Sequence, residues 1–107
     1  MPRIKRMGKV LVAYLEGELD HHHAEGIRNA IDAVILEEMP EKLVFDLSGV
    51  TFMDSSGIGI IMGRYRAIQA SGGSVAFIGI GKKIDKLMEV SGLLKIIPQF
   101  GSLEEVV

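Results

Sequence analysis

At 107 residues, with 48% hydrophobic and 24% charged residues, the chain has the composition of one ordinary globular domain and leaves no room for a second. Twelve basic against fourteen acidic residues, a formal charge of −2, argue against the broad positive field of a nucleic-acid binder, and the lack of cysteine excludes disulfides, iron–sulfur clusters and thiol catalysis. The apolar run Val10–Leu15 is too short for a signal peptide or for a membrane span of roughly 20 residues, so the expected location is the cytoplasm, with no membrane role of its own.

Arg3–Met7 and Val10–Leu15 read as strands that turn at Gly8-Lys9, with Arg3, Lys5, Arg6 and Lys9 on the solvated side of an edge strand. From Ala24 to Met39, the apolar residues Ala24, Ile27, Ile31, Val34 and Ile35 share one helical face, and Pro40 stops the helix. Lys42–Leu47 is the next strand. Ile58, Ile61, Met62, Tyr65 and Ile68 then recur at helical spacing, which predicts a second helix from Ser55 to about Ala70, ended by Gly72-Gly73. Ser74–Ile78 reads as a strand, Lys83–Val90 as a short helix, Lys95–Ile97 as a last small strand, and Ser102–Val107 as a terminal helical turn. This alternation predicts an α/β domain with helices packed on a largely parallel sheet.

Parallel strands joined by right-handed helical crossovers place their strand-to-helix turns at one edge of the sheet, where ligands and partners dock. Three turns are expected to gather there: Gly17–His21, Thr51–Ser55 and Gly79–Lys82. Asp20 and Ser55 thereby become neighbours in space. The Ser55 hydroxyl falls at the start of a helix, where unpaired N–H groups and the positive dipole end favour an anion, such as a phosphate attached to the serine.

The plainer reading of Asp20, and of Asp54 or Ser55, is that each only caps a helix, a role worth about 1 kcal/mol. His21-His22-His23 makes a poor metal site, because successive helical residues diverge and only His21 with Glu25 has usable spacing. A serine hydrolase would use Ser55 with a nearby histidine and Asp20, yet neither serine is flanked by the glycines of a G-x-S-x-G elbow. Gly57-Ile58-Gly59 with Gly63 misses the dinucleotide-binding spacing, and Ala76 and Lys83 stand where a P-loop needs glycine and a hydroxyl. Neither a metal nor a cofactor is expected. Gly59 and Gly63, four apart, are expected to allow close approach to the sheet or to another protein.

The segments Gly17-Glu18-Leu19-Asp20-His21-His22 and Phe52-Met53-Asp54-Ser55-Ser56-Gly57-Ile58-Gly59, followed by Gly63-Arg64-Tyr65 and Ser91-Gly92-Leu93-Leu94-Lys95-Ile96-Ile97, resemble the anti-sigma factor antagonists built on the STAS fold. The likeness is greatest to the sporulation type, which acts on an anti-sigma F factor, and it runs over nearly the whole chain. It implies a single STAS domain over residues 1–107, with a four- to five-stranded, mostly parallel or mixed sheet, about four helices, and no catalysis of its own. It further implies that Ser55 accepts a phosphoryl group from a partner that is both anti-sigma factor and ATP-dependent serine kinase. A serine phosphatase would reset the switch, and the unphosphorylated form would capture the anti-sigma factor and free the sigma factor. Asp20, Ser56, Gly57 and Ile58 carry over to the docking surface, on an edge that also holds Glu18, His21 and Asp54. An antagonist of a stress-response anti-sigma factor, or a STAS module of a transport assembly, would share these residues.

Overall fold

In the computed structural model, which describes residues 2–107, β1 (Arg3–Met7) runs antiparallel to β2 (Val10–Leu19). From β2, the strands β3 (Lys42–Met53), β4 (Ser74–Ile78) and β5 (Gln99–Phe100) follow in parallel, giving one five-stranded sheet in sequence order. The helices α1 (His21–Glu38), α2 (Ser55–Ala70) and α3 (Asp85–Val90) make the crossovers, and α4 (Leu103–Val106) closes the chain. The mixed sheet and its four helices match the expectation. Among the described residues no helix is long and apolar enough to cross a membrane.

Period-two alternation divides the strands between two layers. Leu11, Leu43, Phe45, Val75 and Phe77 point to one side and pack with Ile31 of α1, Ile61 and Ile68 of α2 and Met88 of α3. Val12, Val44, Ala76 and Ile78 point to the other, where Leu103 and Val106 of α4 cover them. Burial on both faces explains why these strands read as near-continuous apolar runs. Between the two long helices, Arg64 Nε lies 2.8 Å from Asp32 Oδ1. Burial pulls the Arg64 guanidinium below its ordinary pKa, Asp32 opposes that, and the charge of Arg28 adds to the lowering.

Several boundaries differ from the sequence reading. β2 does not stop at Leu15; it continues to Leu19 through two irregularities of register, with Gly17 at φ 75° supplying the backbone that one of them needs. The charges of Glu16 and Glu18 had masked that continuation. β3 likewise runs past Leu47 to Met53, and α1 begins at His21 rather than Ala24 because Asp20 caps it. At its far end Met39, in the left-handed region at φ 46°, donates its N–H to the Ile35 carbonyl before Pro40. Lys95–Ile97 is no strand: Leu93–Lys95 forms a 3-10 turn and Ile97 is buried in the core. The last strand forms beyond Pro98, whose carbonyl accepts from the Phe77 N–H at 2.9 Å.

Two spatial expectations also change. β4 pairs with β3 only as far as Ile78 opposite Asp46, and Gly79 packs on Asp46 and Ser48. The Gly79–Lys82 turn is therefore set well back from Ser55, and two turns gather at the edge instead of three. Gly59 and Gly63 do not approach the sheet; a side chain at either would meet open space.

Candidate functional site

Because β2 and β3 outrun β1 and β4, their last residues form a two-stranded ribbon that carries the starts of α1 and α2. At the first corner, Asp20 is the N-cap of α1: its Oδ1 accepts the His23 N–H at 3.1 Å and lies 2.6 Å from His23 Nδ1. Desolvation raises the pKa of the Asp20 carboxyl, but the hydrogen bonds from the His23 side chain and backbone, with the charges of His23 and His22, outweigh it. The group is held below its ordinary value.

At the second corner Asp54 caps α2, its Oδ1 accepting the Ser56 N–H at 2.8 Å. Its Oδ2 reaches across to the other corner and accepts the His21 N–H at 3.3 Å. Asp54 also donates its own N–H to the Leu19 carbonyl at 3.3 Å. One residue thus stitches the two crossovers together. The cap that sequence reading divided between Asp54 and Ser55 belongs to Asp54, which leaves Ser55 unoccupied with that task. Ser55 is the first residue of α2, exposed, and among the described residues its hydroxyl makes no hydrogen bond within the chain.

Glu18, Asp20, His21, Asp54, Ser55 and Ser56 are all brought to this edge, as expected. Gly57 is not on the surface. It is buried directly beneath, where a Cβ would come within 2.5 Å of Met53 Cγ and 2.7 Å of the Leu19 carbonyl. Its missing side chain is what lets α2 start so close to the ribbon. Ile58 is half-buried and packs on the core, so only part of it is available to a partner. Phe52 was missed: it is 49% exposed, opposite Glu18 in the β2–β3 register. Extending β3 to Met53 in the sequence would have found it, since it stands on the face opposite the buried Met53.

Shallow clefts flank the corners. One of about 620 Å³ is lined by Glu16, Glu18, His22, His23, Ile27 and Thr51; another, of about 560 Å³, runs between α1 and α2 past His21, Arg28, Ser56, Gly59 and Arg64. Ser55 lines neither cleft, which suits contact with a protein surface better than enclosure of a small substrate. Because Asp54 supports both corners, Asp54→Ala is expected to cost about 1–2 kcal/mol of stability. Thermal melts check this, and amide exchange should rise at His21 as well as Ser56.

The STAS domain family model matches residues 1–106. The anti-sigma F factor antagonist of Paenibacillus polymyxa is 42% identical over 89 residues, covering 83% of this chain and 76% of that protein. Among solved structures, the unphosphorylated anti-sigma factor antagonist SpoIIAA superposes with a TM-score of 0.84 at 29% identity, covering 99% of this chain and 92% of that one. The phosphorylated form of the Bacillus cell fate determinant SpoIIAA gives a TM-score of 0.75 at 29% identity, covering 99% and 96%.

Proposed function

The chain belongs to the STAS domain family, and we propose that it is an anti-sigma factor antagonist of the sporulation type, switched by phosphorylation of Ser55. In this reading, the unmodified edge carrying Glu18, Asp20, His21, Asp54 and Ser56 docks on an anti-sigma factor and releases its sigma factor. The anti-sigma factor is also the ATP-dependent kinase that modifies Ser55, and a serine phosphatase reverses the modification. The antagonist role is supported by the family match and by the P. polymyxa relative.

The observation that carries the switch is the free, exposed Ser55 hydroxyl at the first residue of α2, with Asp54 already serving as the cap. A phosphoryl group there adds about −1.5 to −2 charges at neutral pH to a surface that holds three carboxylates. The backbone is already helical and its N-terminal dipole tolerates an anion, so modification changes charge and bulk rather than shape.

The test is to incubate the chain with the purified anti-sigma factor of the same organism and ATP, then map the product by tandem mass spectrometry. Phosphate on Ser55 alone is expected. Phosphate on Ser56, or none, overturns the proposal.

A further inference from the structure

We infer that Phe52 is an apolar anchor of the docking surface, received by a pocket on the anti-sigma factor whose rim is basic. The inference deepens the reading of the Ser55 edge and rests on it.

Three features of the fold support it. First, β1 pairs with β2 only as far as Tyr14 and β4 with β3 only as far as Asp46, so among the described residues the ribbon formed by the ends of β2 and β3 has no strand on either flank. Second, the ribbon is covered on one side only. Leu15, Leu19, Val50 and Met53 are buried in the core shared with α1 and α2, whereas α4 sits lower down, over Val12, Val44 and Ala76, and leaves the other side bare. Third, what stands on the bare side is polar apart from Phe52. Glu16 and Glu18, which alternate with the buried Leu15 and Leu19, are exposed there, and Phe52, opposite Glu18 in register, is 49% exposed beside them.

Core packing gives Phe52 no such task as it gives the buried Phe45 and Phe77. An aromatic ring on a stiff strand loses little freedom when a partner covers it, which is the usual character of a residue that dominates binding. The occupant follows from the surroundings. Glu18 lies directly opposite Phe52 in register, and Asp54 follows two residues later with Asp20 at the adjoining corner, so a partner pocket for the ring meets carboxylates around it. Basic side chains on its rim complement them.

The test compares Phe52→Ala, Phe52→Tyr and Ser55→Asp for binding to the purified anti-sigma factor of the same organism by calorimetry, with thermal melts confirming the fold. Phe52→Ala is expected to weaken binding at least about tenfold with little change in melting temperature, and Phe52→Tyr, which keeps the ring, to stay near wild type. Raising salt should weaken wild-type binding, as expected for a basic rim. Phe52→Ala binding as tightly as wild type overturns the inference, and so does equal weakening by Phe52→Ala and Phe52→Tyr. The Ser55→Asp arm separates the failures: if it binds poorly while Phe52→Ala binds normally, the anchor is wrong and the docking edge stands; if both bind normally, the edge falls too.

Discussion

Ser55→Asp is expected to weaken binding to the anti-sigma factor by about 10² to 10⁴-fold, while Ser55→Ala binds like the wild type and accepts no phosphate. The size follows from burying a charge that has no partner. In a docked interface, an unpaired carboxylate costs about 3–5 kcal/mol, and each 1.4 kcal/mol is a factor of ten. Here the new charge would stand beside Asp54, so like-charge repulsion adds to desolvation. Stability should not fall in parallel, because an acidic side chain in the first turn of a helix suits its dipole. Calorimetric affinity with thermal melts on the same samples separates the two. A drop in melting temperature that tracks the lost affinity would show the variant to be misfolded rather than switched off.

Gly57→Ala is expected to lower stability by about 2–3 kcal/mol, a large share of the total for a domain of this size. The added methyl would sit 2.5 Å from Met53 Cγ, 2.7 Å from the Leu19 carbonyl oxygen and 3.0 Å from Leu19 Cβ. The Met53 side chain can rotate away. The carbonyl cannot, because it belongs to β2 and accepts the Asp54 N–H. Relief therefore means lifting the first turn of α2, which disturbs the Asp54 cap as well. Gly59→Ala makes the contrast: nothing lies within 4 Å of a Cβ there, and the change should stabilise by about 0.5–1 kcal/mol. Urea denaturation checks both, with the midpoint moving in opposite directions and the slope unchanged.

The layered architecture was legible because its signals are local and strong. Ile58, Ile61, Tyr65 and Ile68 repeat at helical spacing, Val75–Ile78 forms an apolar run, and Pro40 with Gly72-Gly73 punctuates the helices. The Asp20 and Ser55 corners were also legible, since right-handed crossovers bring consecutive strand ends to one edge. What the sequence hid was how far β2 and β3 extend. Irregular register at Glu16 and Gly17 interrupts the alternation that marks a strand, and Ser48-Gly49 reads as a break although Gly49 lies close against Glu16 of β2. That one omission concealed the ribbon, the exposure of Phe52 and the setback of the Gly79–Lys82 turn. Ile96-Ile97 misled differently: Ile97 fills the core from the end of a turn, while Ile96 beside it is exposed. The roles of the three glycines in α2 were inverted as well. Spacing singles out Gly59 and Gly63, whereas close contact, visible only in three dimensions, singles out Gly57.

The carboxylate of Asp54, holding the Ser56 and His21 amides at once, has a consequence in time as well as in space. With both helix starts pinned before any chemistry occurs, no segment has to order or melt when a charge arrives at the rim or departs. A regulator of that kind keeps no memory of its earlier state. On the proposed reading, its output follows the momentary balance of the activities that write and erase the mark on Ser55.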